Sequence, residues 1–127
     1  MSLSSIEEDI KIDIIVIDDG SNHIPKPKQL KYDSGFLKII ALDKNLGIEH
    51  ALNKGLAYIE SQGYEYIGRL DCGDLCQPHR FKIQLDFLKK HPEIALVGSW
   101  VNIIDDRGNF HYLLKHPKTH KEISRKM

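Results

Sequence analysis

Residues 69–81 read Arg69-Leu70-Asp71-Cys72-Gly73-Asp74-Leu75-Cys76-Gln77-Pro78-His79-Arg80-Phe81. The stretch opens as the end of an apolar run, Tyr66 to Leu70, which predicts a buried strand. It continues as a tight acidic loop and reaches Pro78. Proline suits the first turn of a helix, where its missing N–H has no partner to lose. Asp71 and Asp74 thus stand at the carboxyl end of a strand. Ligands of open α/β sheets bind at that edge. A hard divalent cation, Mg²⁺ or Mn²⁺, takes oxygen ligands there and keeps places for water and substrate phosphate. On this stretch alone, a surface turn with helix-capping acids fits equally well.

The bulk properties narrow the class. A chain of 127 residues is expected to form at most one domain, 1–127, with length enough for a core. Lys plus Arg and Asp plus Glu both number 18, so the formal charge is zero. That balance offers no electrostatic footprint for nucleic acid. The longest nearly apolar run, Ile94 to Ile104, is broken by Gly98, Ser99 and Asn102 and is too short to span a bilayer. The N-terminus lacks the basic flank and apolar centre of a signal peptide. The expected location is therefore the cytoplasm. Cys72 and Cys76 have neither redox-motif nor disulfide-framework spacing and read as reduced thiols beside the loop.

Outward from the acidic loop, the chain alternates strands and helices. Ile12 to Ile17 is β-branched and almost continuously apolar, as in a strand buried on both faces. It ends in Asp18-Asp19-Gly20-Ser21. Residues 22–35, with Pro25 and Pro27, read as a surface connection. Leu37 to Leu42 predicts a second strand, and Ile48, Leu52, Leu56 and Ile59 mark the apolar face of a helix that stops near Gly63. Gly55 inside that helix implies close packing, since glycine there costs roughly 1 kcal/mol relative to alanine. Pro78 to His91 predicts a second helix. Ile94 to Ile104 predicts a strand or bent pair, and Phe110 to Leu114 its hairpin partner. Ser2 to Ile10 reads as the end of a helix, and Lys118 to Met127 as the start of one. Alternation of this kind predicts an α/β fold with a mainly parallel sheet flanked by helices. Parallel strands place Asp18/Asp19 and Asp71/Asp74 at one sheet edge. Two carboxylate pairs there need a cation or hydrogen-bond donors to offset their repulsion.

These segments resemble family 2 glycosyltransferases. Ile14-Ile15-Val16-Ile17-Asp18-Asp19-Gly20-Ser21 is similar to their "IIVVDDGS" segment. Asn45-Leu46-Gly47 with Ala51-Leu52-Asn53-Lys54-Gly55 is similar to their "N-x-G … A-x-N-x-G" helix. Arg69-Leu70-Asp71-Cys72-Gly73-Asp74, followed by Pro78, Arg80, Phe81 and Gln84, resembles their "R-x-D-x-D-D … P-x-R-[LF]-x-x-Q" block. Order and spacing agree over residues 12–105.

The resemblance implies a Rossmann-like GT-A nucleotide-diphospho-sugar transferase fold. It implies nucleotide-sugar contacts from Asp18, Asp19, Asn53, Arg69 and Asp71, with Asp19 the leading candidate for base and ribose. It places Mg²⁺ or Mn²⁺ at Asp71 and Asp74, beside the diphosphate of a UDP- or TDP-sugar. The implied acceptor is a hydroxyl of a glycan or lipid-linked sugar, as in cell-surface polysaccharide biosynthesis, at the inner membrane face. Two departures stand out. Gly73 replaces the middle acid of the usual D-x-D. The family's first strand and its general base also have no counterpart here, so the base is expected beyond Met127. The expectation is an incomplete domain, inactive alone, with the open sheet edge favouring self-association or closure of the sheet across the gap. A competing pattern is the phospho-receiver domain, with Asp18/Asp19, Asp71, Ser99 and Lys115 at its key places. A nucleotide-binding remnant without turnover is the third reading.

Overall fold

The structure, a computed structural model, describes residues 10–22 and 35–125. The helical end expected at residues 2–9 and the connection at 23–34 lie outside the described residues. The elements are β1 (Ile14–Asp18), β2 (Leu37–Ala41), α1 (Ile48–Ser61), α2 (Arg80–Lys90), β3 (Val101–Ile104), β4 (Phe110–Leu114) and α3 (His120–Ser124). They fall into two compact units, Met1–Asp86 and Phe87–Met127, with the unit boundary inside α2.

In the first unit β1 and β2 pair in parallel, from Ile14 opposite Leu37 to Asp18 opposite Ala41. The β-branched side chains of both strands suit this half-buried ladder. Backbone bonds extend it at each end, Ile14 N–H to Phe36 O at 2.7 Å and Leu42 N–H to Asp18 O at 2.8 Å. The Asp13 carboxylate ties the entrance together. It accepts from Phe36 N–H at 2.7 Å and from the Tyr64 hydroxyl at 2.8 Å.

Helix α1 packs on β1 through its smallest residues, Ala51 and Gly55, which are its buried positions. A Cβ on Gly55 would lie 3.0 Å from Ile17 Cγ1, so the glycine marks close helix–strand approach. The contact face is consequently rotated from the expected stripe. Leu52 and Ile59 are half-buried, but Ile48 and Leu56 are 56% and 46% exposed. The stop at Gly63 (φ +72) is as expected, with its N–H donating to Glu60 O.

Three expected elements differ. Tyr66–Leu70 is not a strand, because among the described residues no neighbour exchanges backbone bonds with it. An apolar run supplies side chains for a strand but cannot supply the adjacent strand. The long segment Ile94–Ile104 is a strand only over Val101–Ile104. Helix α2 begins at Arg80, because Pro78 and His79 form a turn in which His79 takes φ +62 and Arg80 N–H donates to Gln77 O.

The second unit holds the antiparallel β3–β4 hairpin and α3. A short connection permits only antiparallel pairing, so the described sheets are one parallel pair and one antiparallel pair, short of the mainly parallel sheet expected. Asp105 shapes the hairpin turn by accepting from the backbone N–H groups of Arg107 and Asn109. Thr119 and Glu122 form a reciprocal capping box at the start of α3. Among the described residues the only buried apolar side chain is Ala51, so the core is thinner than the chain length leads one to expect.

Candidate functional site

The first unit carries every residue that the motifs single out. At the carboxyl end of β1, Asp18 Oδ2 accepts from Ser21 N–H at 3.1 Å and closes a local turn. Gly20 makes the turn possible. It takes φ +74, and a Cβ there would sit 2.4 Å from the Lys44 carbonyl carbon. Only glycine lets the two backbones approach so closely.

Asp19 uses that proximity. Its Oδ1 accepts from Leu46 N–H and its Oδ2 from Gly47 N–H, both at 2.9 Å. Asn45 Oδ1 also accepts from Gly47 N–H, at 3.1 Å. Gly47 is the N-cap of α1 with φ +92 and no side-chain cap of its own. The Asp19 carboxylate therefore fixes the loop that leads into α1, and it satisfies backbone donors that the helix start leaves over. Each carboxylate oxygen still has a second lone pair for a ligand.

Asp71 is engaged differently. Arg69 grips it in a bidentate pair, Nε to Oδ1 at 2.7 Å and Nη2 to Oδ2 at 2.9 Å. Both side chains are about half exposed, at 53% and 50%. The Asp71 carboxylate, with a smaller contribution from Asp74, holds the Arg69 guanidinium above its ordinary pKa. The loop turns at Gly73 (φ +97), and Asp74 N–H donates to Asp71 O at 3.2 Å.

The second half of the motif anchors this loop. Arg80 donates through Nη2 to Arg69 O at 2.9 Å and through Nε to Gln84 Oε1 at 3.3 Å. Phe81 lies so close to Gly68 that a Cβ there would be 2.7 Å from its ring. Sequence reading matched Arg80, Phe81 and Gln84 by spacing but gave them no role. Their i, i+4 and loop-to-helix geometry emerges only in three dimensions.

The two acidic clusters are not joined by any hydrogen bond among the described residues. Asp18 and Asp19 are tied to their own turn and the loop before α1; Asp71 is tied to Arg69. Asn53 lies exposed on α1, with no hydrogen bond to either cluster among the described residues. Nor do the described residues gather three or more His, Cys, Asp or Glu into a metal cage. Asp71 and Asp74 stand on one turn, linked by the Asp74 N–H to Asp71 O bond, and both Asp71 carboxylate oxygens are engaged by Arg69. Two carboxylates would suit a Mg²⁺-type ion that keeps waters and phosphate oxygens better than an ion held by protein alone.

A family model described as Glycosyl transferase family 2 matches residues 2–127. The chain is similar to the amylovoran biosynthesis glycosyltransferase AmsE of Erwinia amylovora, at 40% identity over 57% of this chain and 26% of that protein. It is similar to the uncharacterized glycosyltransferase MJ1057 of Methanocaldococcus jannaschii, at 31% identity over 85% of this chain and 36% of that protein. A third relative is the UDP-Gal:alpha-D-GlcNAc-diphosphoundecaprenol beta-1,3-galactosyltransferase of Escherichia coli, at 34% identity over 51% of this chain and 22% of that protein. The chain thus spans about a quarter to a third of the length of these relatives. No solved structure matches. A family match across nearly the whole chain leaves the phospho-receiver pattern without support. The chain belongs to glycosyltransferase family 2, the transferases that move sugars.

Proposed function

We propose that this chain forms the donor-binding part of a transferase that takes sugar from a nucleotide-diphosphate sugar and passes it to an acceptor hydroxyl. The observation that carries the reading is the double clamp from Asp19 to Leu46 and Gly47, which fixes two loops against each other at the carboxyl edge of a parallel strand pair. Nucleotides bind at such an edge in open α/β sheets.

In this reading Asp18 and Asp19 stand at the base and ribose, and Asn53 borders the same side. Asp71 and Asp74 stand at the diphosphate and hold Mg²⁺ or Mn²⁺. When bound, the cation offsets charge on the leaving nucleoside diphosphate. Arg69 keeps Asp71 compensated in the meantime. On donor binding the guanidinium can transfer to a phosphate oxygen, for which its planar fork is equally suited. The donor class is a UDP- or TDP-sugar, and the acceptor a glycan or lipid-linked sugar. The name of the Escherichia coli relative, with its UDP-Gal donor and diphosphoundecaprenol-linked acceptor, supports that direction. Among the described residues no helix is long and apolar enough to cross a membrane. We place the protein in the cytoplasm, peripheral to the inner membrane face. The 127 residues alone bind donor without useful transfer, since general base catalysis typically contributes about 10²–10⁴-fold and the matched motifs supply only donor contacts.

Calorimetric titration of UDP with and without Mn²⁺ tests this. Binding should strengthen with Mn²⁺, and Asp71→Asn should remove most of that gain. Equal affinity with and without the metal would discard the cation role.

A further inference from the structure

The second unit carries a solvent-open cavity of about 480 Å³ at its surface, lined by Trp100, Lys115, His116, Pro117, Lys118, Thr119 and Glu122. Its position follows from the hairpin register. Val101 pairs with Leu114, so Trp100, just before β3, and Lys115, just after β4, emerge side by side. The indole is fixed by its N–H, which donates to His116 O at 3.1 Å. Over this one ring lie two ammonium groups, Lys118 Nζ at 4.5 Å and Lys115 Nζ at 5.1 Å from the ring centre.

The ring face attracts each cation but neutralises neither. Among the described residues neither lysine has a carboxylate partner. The acid that lines the cavity, Glu122, has Oε2 occupied by the backbone N–H groups of Lys118 and Thr119. The same capping box occupies the Glu122 N–H through Thr119 Oγ1. The N–H groups of Lys118, Thr119 and Glu122 are therefore already occupied, and the two ammonium groups are the charged donors that line the site.

We propose that this cavity is an oxyanion site in which Lys115 and Lys118 together hold a phosphate or diphosphate group, with Trp100 as the wall that positions them. Two ammonium groups gathered at one ring are relieved by a multiply charged anion that both can reach, and a phosphate-class oxyanion offers several acceptors to them. The site lies wholly in the second unit and does not depend on the donor reading of Asp19 and Asp71.

Trp100 is the only tryptophan in the chain, so its fluorescence reports on this cavity alone. The experiment titrates inorganic pyrophosphate at fixed ionic strength, with acetate as the comparison anion. A saturable fluorescence change with pyrophosphate, absent with acetate, is expected. Lys115→Gln and Lys118→Gln should each weaken it by about tenfold or more, the usual effect of losing a charge-assisted contact. Lys121→Gln removes the same charge outside the cavity and should leave the midpoint within about twofold, since exposed charges are screened over roughly 8–10 Å. Asp71→Asn should also leave it unchanged, which separates this site from pyrophosphate bound at the donor loop. No saturable change, an equal response to acetate, or equal weakening by Lys121→Gln would overturn the proposal.

Discussion

Replacing Asp19 with alanine should loosen the loop before α1 at two named amides. In the structure each carboxylate oxygen accepts one backbone N–H at 2.9 Å, from Leu46 and from Gly47. Hydrogen bonds to a charged group contribute about 1.5–3 kcal/mol each. The site is only half-buried, so water replaces part of what is lost, and the pair together is worth about 2 kcal/mol. By local opening, that corresponds to roughly 30-fold faster amide hydrogen exchange. Gly47 retains its second acceptor, Asn45 Oδ1 at 3.1 Å. Leu46 should therefore accelerate more than Gly47. Asp19→Asn keeps one acceptor oxygen, and its effect should be about half as large in free energy, roughly fivefold in rate. Exchange measured by NMR tests this directly, with Gln62 and Gly63 at the far end of α1 as internal references. If Leu46 exchanges at the wild-type rate in Asp19→Ala, the clamp does not hold the loop. Any loss of UDP binding in that variant would then come from a direct ligand contact.

Other perturbations reach the same unit by different physics. Gly20→Ala places a Cβ 2.4 Å from the Lys44 backbone at a φ of +74; left-handed backbone alone costs roughly 1–2 kcal/mol, so both Asp19 bonds should open and both amides should exchange faster. Asp13 has its pKa lowered, first by Phe36 N–H and then by the Tyr64 hydroxyl. A depressed carboxyl pKa stabilises the fold above the unfolded value and loses that contribution as pH falls through the folded value; Tyr64→Phe should raise the Asp13 pKa toward its ordinary value in an NMR titration. Among the described residues β1 pairs with β2 alone, and a strand edge without a partner is a template for a second chain. Concentration-dependent self-association should appear in sedimentation, whereas a monomer with slow exchange throughout residues 12–17 would exclude it.

Much of this arrangement was readable in the chain because it depends on local chemistry. The β-branched run to Ile17, the glycine at position 20 and the stop at Gly63 each follow from what a residue can do with its own backbone. Gly55 was readable for the same reason: a helix tolerates glycine at its centre when a neighbour needs the space, and Ile17 takes it. The strand expected at Tyr66–Leu70 was not decided locally. Its side chains suit a strand, but a strand is defined by its neighbour, and periodicity carries no information about which segment lies alongside. The rotated face of α1 has the same origin. Hydrophobic spacing favours Ile48 and Leu56, while close approach selects Ala51 and Gly55.

The site shows the same division between residue type and partner. Spacing identifies Asp19 and Asp71 as acids at loop ends and assigns both to a ligand. The structure gives them different internal partners: two backbone donors for Asp19, and one guanidinium for Asp71. Backbone donors cannot leave without reshaping the loop before α1. A half-exposed arginine can leave, because exposed ion pairs contribute little and exchange partners readily. Asp19 is thus positioned to hold geometry and Asp71 to change partners. In the proposed function a donor diphosphate would use both properties, a fixed loop and a carboxylate whose counter-ion can move aside. The paired anchors from Arg80 to Arg69 O and Gln84 keep that movable pair on a fixed base. Arg80 thus holds the backbone of Arg69 in place, while the half-exposed guanidinium keeps Asp71 as its partner.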